Sequence, residues 1–311
     1  MHRKTPHRSL LIFLLLSWAT SSLGQGAESQ DYAARFDTAW QLVAERYWDA
    51  GYGGADWHAL KAEYRPKALA APNERAFYRV LETLYDKLGD NHSTFVPPDK
   101  VEEIRRAYGD LPCLGVFGLA QRGERLGHIR YRLEGSVGVL RVPDLATTGT
   151  AQNVREAVQR LTREGATSFV LDLRGNPGGR LVEMMQTAGI FTRGFLWRTL
   201  TRWTLPIPYP ALGQVETAAP LAVLIDRGVN SAAEGLAGAL QSKGRAHIFG
   251  RTSAGNVEAV LPFCLRDGSQ AWIATGVLAP LGNPSWEGRG VVPDIPTRTP
   301  LRDALKYLRG L

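Results

Sequence analysis

Ser231 stands in the run V-N-S-A-A-E-G-L-A-G-A-L, behind an apolar stretch, Leu221 to Ile225, that has the pattern of a buried strand. A loop holding Gly228 separates the two, and a helix is predicted to begin at or just after Ser231. A hydroxyl placed there lies among backbone N–H groups that have no intrahelical partner, where negative charge arising nearby is stabilised. That suits a nucleophile. It also suits an ordinary N-cap, for which serine is a favoured residue. Spacing alone leaves both readings open.

A serine nucleophile needs a base, a group that orients the base, and donors for an oxyanion. The chain has six histidines. His2 and His7 belong to a basic N-terminal segment, and His58, in D-W-H-A-L, falls on a helix surface. His128 and His247 lie inside strand-like segments, where packing or a solvent face accounts for them. His92 alone lies in a polar loop, G-D-N-H-S-T-F-V-P-P, between two differently patterned regions. Loops held by rigid scaffolds often carry catalytic side chains; a plain loop histidine is the alternative. The stretch D-L-R-G-N-P-G-G, Asp172 to Gly179, ends a strand with two glycines that let backbone approach a ligand closely. There the N–H of Gly178 would converge with that of Ala232 to form an oxyanion hole, or the loop is simply a tight strand-to-helix turn. No Lys-Ser or Lys-Thr pair follows the glycines, which excludes a Walker-type phosphate loop.

The elements that must position these residues follow from periodicity. Phe36, Trp40, Val43 and Tyr47, then Phe77, Val80, Leu81, Leu84 and Leu88, recur at helical steps, so residues 25–95 are predicted to form a three-helix domain. Residues 96–134 have short alternating stretches and glycines and are expected to be a small β-rich connector. From 135 to 311, strand and helix patterns alternate, which points to an α/β core with parallel strands. Thr150 is expected to cap the helix that carries Val154, Ala157, Val158 and Leu161, and Thr299 with Pro300 to open a C-terminal helix.

His2, Arg3, Lys4, His7 and Arg8, the apolar stretch Leu10 to Trp18 and the small residues Ser22-Leu23-Gly24 read as a secretory signal peptide, residues 1–24, with a membrane anchor as the alternative. Its removal reduces 37 basic residues to 34 against 30 acidic, an excess of +4 spread along the chain. With no basic run interleaved with aromatics, nucleic-acid binding has little support. No later stretch is long and apolar enough to cross a bilayer, so no stable membrane insertion is expected after signal cleavage. The two cysteines, Cys113 and Cys264, form one disulfide in an exported protein or remain two buried thiols. No Cys or His spacing suggests zinc.

D-L-R-G-N-P-G-G, the strand–loop–S-A-A-E helix, G-R-A-H-I-F-G-R-T and G-R-G-V-V-P-D, in this order, resemble the S41 family of serine peptidases, the C-terminal-processing-protease and tricorn group. The likeness runs from about Phe36 to Asp294 and implies a crotonase/ClpP-like β-β-α core behind the helical domain. In the processing-protease branch a lysine is the base; here Asn256 holds that place and cannot accept a proton. Lys243 is expected on the solvent face of the Ser231 helix. The tricorn-like branch takes a histidine from the preceding domain and a late glutamate, which match His92 in G-D-N-H-S and Glu287 in W-E-G-R-G-V-V-P-D. The resemblance therefore implies Ser231 as nucleophile, His92 as general base, Glu287 as the third group, and Gly178 and Ala232 as oxyanion donors. Glu258 is the rival acid, and Glu234 is read as structural. Asn91 stands where the tricorn pattern has serine. About forty residues separate Phe95 from Val137, too few for the PDZ domain many members carry. The implied activity is hydrolysis of extended or unfolded polypeptides through an acyl-enzyme, with no cofactor and no metal. A non-catalytic module for apolar ligands, like the retinoid carriers of the vertebrate eye, and a small ester or amide hydrolase are the alternatives.

Overall fold

The computed structural model describes residues 21–90, 92–108 and 129–311. Three helices come first: α1 (Ser21–Arg46), α2 (Trp57–Leu69) and α3 (Glu74–Tyr85). Asp56 and Asn73 cap the second and third by accepting the N–H groups of Ala59 (2.9 Å) and Ala76 (3.0 Å). Phe36, Trp40, Val43, Tyr47, Phe77, Leu81 and Leu84 form their shared interior, so the helical period placed the core of this lobe. Strand β1 (Thr94–Val96) follows the His92 loop.

Helix α4 (Pro98–Tyr108) occupies the first part of the segment expected to be β-rich. The Pro97 carbonyl accepts its first helical bond, from Val101, and Glu102 pairs with Arg105 and Arg106 along its exposed face. It is held by local ion pairs rather than by an apolar stripe, so periodicity does not disclose it. The hairpins expected between Leu111 and Arg132 fall largely on residues outside the described ones.

The remaining elements are β2 (Arg130–Glu134), β3 (Val137–Arg141), α5 (Thr150–Arg163), β4 (Ser168–Asp172), α6 (Leu181–Phe191), β5 (Phe195–Leu200), β6 (Ile207–Pro210), β7 (Leu221–Ile225), α7 (Ala232–Ser242), β8 (His247–Gly250), β9 (Glu258–Cys264), β10 (Gln270–Ala279), β11 (Ile295–Pro296) and α8 (Pro300–Arg309). A six-stranded sheet runs β11-β8-β7-β4-β3-β2, parallel except for the β2–β3 hairpin. On β7, Leu221, Val223 and Ile225 face the layer of α5, α6 and α7, while Ala222 and Leu224 face α8. Both faces are covered, which is why these strands read as continuous apolar runs.

Helix α5 is capped differently from expectation. Gly149, in a left-handed conformation, is the N-cap, and Thr150 is the first helical residue. The buried Glu183 carboxylate reaches across from α6 to accept the N–H groups of Gly149 (2.7 Å) and Ala151 (2.8 Å). At α8, Thr299 is the N-cap and Pro300 follows it, as expected.

A second, antiparallel sheet is built on β10, which pairs with β9 along one edge and with β1 and then β5 along the other. Ala271, Ile273 and Ala274 of β10 belong to the interior of the helical lobe, and Leu278 to that of the core. One strand therefore ties the lobes together. Arg35 of α1 reinforces the joint. Its guanidinium pairs with Glu74 on α3 (2.8 Å) and with Asp267 in the β9–β10 turn (2.6 Å), and lies over the rings of Tyr32, Phe77 and Tyr78. Replacing Arg35 by methionine leaves Asp267 and Glu74 without this partner. It is expected to lower unfolding stability by on the order of 2 kcal/mol, less than for a fully buried pair. A urea midpoint equal to that of the wild type would show that the clamp contributes nothing.

Candidate active site

Ser231 has φ 53° and ψ −123°, and among the described residues only it and Tyr52 are non-glycine positions with positive φ. Such a conformation costs a serine about 1–2 kcal/mol and persists only where its surroundings hold it. The Ser231 N–H donates to the Asn256 carbonyl (3.0 Å) and to the Glu234 carboxylate (3.1 Å). Glu234 is fully buried. Its oxygens also accept Ser253 Oγ (2.6 Å) and the N–H groups of Gly255 (2.7 Å) and Asn256 (2.9 Å). Four donors thus converge on one carboxylate, which meets the cost of burying it. The structural reading of Glu234 becomes specific: it binds the serine turn to the 253–256 loop.

Gly178 lies directly against the serine. A Cβ there would fall 2.7 Å from the Asn230 carbonyl and 2.8 Å from both the Ala232 nitrogen and Ser231 Cβ, and the residue has φ +93°. Only glycine allows this approach. The Ala232 N–H opens the first turn of α7 and has no intrahelical acceptor. The Gly178 N–H donates to Asn176 Oδ1 (2.8 Å), inside its own loop. Asn176 is fully buried; its side-chain amide donates to the Val142 carbonyl (3.0 Å), and its main-chain carbonyl accepts the Asn230 N–H (3.0 Å).

His92 is held from three sides. Asp90 Oδ1 accepts the N–H groups of His92 (2.9 Å) and Ser93 (2.5 Å), which shapes the loop. Ser93 Oγ accepts the Ala274 N–H of β10 (3.0 Å). The ring Nδ1 lies 2.9 Å from Glu258 Oε2, with Glu258 at the first position of β9. The hydrogen bond to His92 thus goes to Glu258 and not to Glu287. Glu287 Oε2 instead accepts the Val257 N–H (2.6 Å), one residue before Glu258. The Val257 amide thus meets one acid while the next side chain is the other.

Burial opposes charging of the His92 ring, but the bonded Glu258 carboxylate, helped by Asp90 and Glu287, outweighs it and raises the imidazole above the ordinary histidine value. Burial raises Glu287 above the usual carboxylate range; the Val257 N–H counters this, and the charge of Glu258 adds to it. No hydrogen bond joins His92 to Ser231 in the structure. Both are fastened to one three-residue stretch, Ser231 through the Asn256 carbonyl and His92 through the Glu258 carboxylate.

The other candidates lie elsewhere. Lys243 Nζ bonds the Phe195 carbonyl (2.9 Å) on the exposed side of α7. His58 and His247 are exposed, against Trp40 and Tyr307 respectively. His128 and Asn91 are outside the described residues. Cys264 is disulfide-bonded, and Cys113 is outside the described residues.

The Peptidase family S41 profile matches residues 136–297, just over half of the chain. The chain belongs to peptidase family S41. The Tricorn protease C1 domain profile matches residues 28–86, within the helical lobe. A carboxy-terminal-processing protease of Bartonella bacilliformis is 31% identical over 192 residues, 57% of this chain and 42% of the relative. A carboxyl-terminal-processing protease of Picosynechococcus sp. is 35% identical over 134 residues, 43% of this chain and 32% of the relative. The chain thus spans roughly a third to two-fifths of the length of these curated relatives. Among solved structures, a photosystem II D1 C-terminal processing protease superposes with TM-score 0.67 at 19% identity, covering 86% of this chain and 93% of that one. A lipoprotein from Streptococcus agalactiae gives 0.70 at 17%, covering 97% and 99%. At these identities the two structures show a shared fold.

A raised His92 must lose its proton before it can act as a base. Reactivity of Ser231 is therefore expected to fall with decreasing pH, with a midpoint above the ordinary histidine value of about 6.5. Glu258→Gln removes the charge that raises it and is expected to move the midpoint down, and by more than Glu287→Gln does. A pH profile of the inactivation rate by a fluorophosphonate checks this. A midpoint that follows Glu287 and ignores Glu258 would contradict the assignment.

Proposed function

We propose that this S41 chain is a serine peptidase that hydrolyses peptide bonds through an acyl-enzyme on Ser231. The observation that carries the proposal is the strained, positive-φ serine, held at the N-terminus of α7 by a buried carboxylate and pressed against Gly178. Strain of this kind concentrates at functional sites. The similarity to carboxyl-terminal-processing proteases agrees with this chemistry.

In the proposed reaction Ser231 Oγ attacks the scissile carbonyl, and His92 Nε2 takes its proton and delivers it to the leaving amine. Glu258, an acceptor when ionised, favours the Nδ1–H form of the ring and leaves Nε2 free to accept. Glu287 adds negative charge to the same region without touching the ring. The hydrogen bond between His92 and Ser231 forms when substrate occupies the cleft; such contacts are often long in unliganded sites and tighten in the complex. The Ala232 N–H is one oxyanion donor. Gly178 supplies the second when its N–H leaves Asn176 Oδ1 for the developing charge, a stronger acceptor than a neutral amide oxygen.

Extended or unfolded polypeptides are the proposed substrates, admitted between the helical lobe and the core without a dedicated C-terminal tether. The basic start and apolar stretch at the N-terminus support export with cleavage after Gly24. Among the described residues, no helix is long and apolar enough to cross a membrane.

Labelling by a fluorescent fluorophosphonate, wild type against Ser231→Ala, tests the proposal. The wild type is expected to label and the variant to stay dark. Equal labelling of both would remove Ser231 as nucleophile, and absence of labelling together with tight binding of a fluorescent fatty acid would favour an apolar-ligand carrier.

A further inference from the structure

Glu258 has two oxygens, and the ring of His92 uses one of them. The other, Oε1, lies 3.1 Å from the indole Nε1 of Trp48. Trp48 follows α1, and its main-chain N–H donates to the Ala274 carbonyl of β10 (2.9 Å). The N–H of the same Ala274 is bonded by Ser93 Oγ, the residue next to His92. The indole and the imidazole are therefore both referenced to one residue of β10, one through its C=O and one through its N–H, and close on one carboxylate. Opposite Ala259 and Val260 of β9 the register of β10 shifts between Ala274 and Gly276, and Thr275 Oγ1 donates to the Ala259 carbonyl (3.1 Å). The extra residue, Thr275, lies on β10 opposite the start of β9, where Glu258 stands.

We infer that Trp48 is a positioning residue for the hydrolysis proposed above: its indole N–H holds Glu258 Oε1 so that Oε2 stays on His92 Nδ1. The inference rests on that reading of Ser231 and His92. The chemistry of the donor suits the task. An indole N–H can only donate and does not titrate near neutral pH, so it favours the ionised carboxylate, which can only accept. A carboxylate held at one oxygen alone can rotate about its terminal torsion, which is broad. Held at both, it presents a fixed lone pair to Nδ1, and the ring keeps the tautomer with Nε2 unprotonated. The groups that face this assembly are Asp90 from the loop, Glu287 from the segment after β10, and Tyr47 from the end of α1. Burial, together with the negative charge of Asp90 and Glu258, pushes the Tyr47 hydroxyl up, so it stays neutral. In such negative surroundings a neutral donor to Glu258 does the positioning without adding a counter-charge that would lower the imidazole.

The test is a double-mutant cycle on the full chain, read by the rate of fluorophosphonate inactivation. Trp48→Phe keeps an aromatic ring and removes the indole N–H. It is expected to slow inactivation about tenfold, the equivalent of ~1.4 kcal/mol for one hydrogen bond to a charged group. In a Glu258→Gln background the same change is expected to have little further effect, because the acceptor it served has gone. Equal loss in both backgrounds would mark Trp48 as packing only, and no loss in either would also overturn the inference. The 15N spectrum of the His92 imidazole at alkaline pH, recorded on variants whose circular dichroism matches the wild type, is an independent reading. The wild type is expected to show Nδ1–H and Trp48→Phe a mixture of tautomers; Nε2–H in the wild type would overturn the inference. If the wild type does not label at Ser231 at all, the underlying reading has failed, not the placement of Trp48.

Discussion

The backbone of Ala274 is the point on which the site depends. Its N–H and C=O are spent not within its own sheet but on Ser93 and Trp48, the flanks of the two side chains that meet Glu258. Since β10 also contributes to the interiors of both lobes, the distance between the histidine loop and the serine helix is set by a strand rather than by a linker. A backbone hydrogen-bonding group in the interior must find a partner. Here that obligation positions the His92 loop, and the Arg35 clamp on the β9–β10 turn holds the same joint from its far end.

The serine half is built on a different principle. Its turn is strained, and the strain is balanced by concentrating donors on Glu234. A buried carboxylate with four donors is costly to disturb, since removal of any one leaves charge less well satisfied. The same loop, through Asn256 to Glu258, runs on to the acid that orients His92. Ser231 and His92, the proposed nucleophile and base, are thus each hydrogen-bonded to one short stretch of backbone, residues 256–258, even though no hydrogen bond connects them directly.

How much of this was legible in the chain depends on the range of the interactions. The parallel strands announced themselves as apolar runs because both faces are covered, and the Ser231 helix through its small-residue start. Strand β6 did not: Pro208 and Pro210 within it interrupt any alternating pattern, and it lies at an edge of its sheet. Helix α4 lacked an apolar stripe. Elimination among six histidines singled out His92, and the structure ties that residue to a buried glutamate. Which glutamate was not readable, because both carboxylates meet at the backbone of residues 257–258, Glu258 as part of it and Glu287 by accepting the Val257 N–H, and only the folded contacts separate them. Trp48 gave no signal at all. In sequence it is one more aromatic at the end of a helix rich in them, and its indole donor acquires meaning only when β9 is folded beside it.

The proposed chemistry requires His92 to reach Ser231 while remaining fastened to Glu258. A crystal structure of the chain after reaction with a peptidyl fluorophosphonate tests this directly. It should show the adduct on Ser231 Oγ, His92 Nε2 within hydrogen-bond distance of that oxygen or of the leaving-group position, and Nδ1 still on Glu258. An imidazole that stays apart from the adduct, or that has exchanged Glu258 for Glu287, would contradict the account.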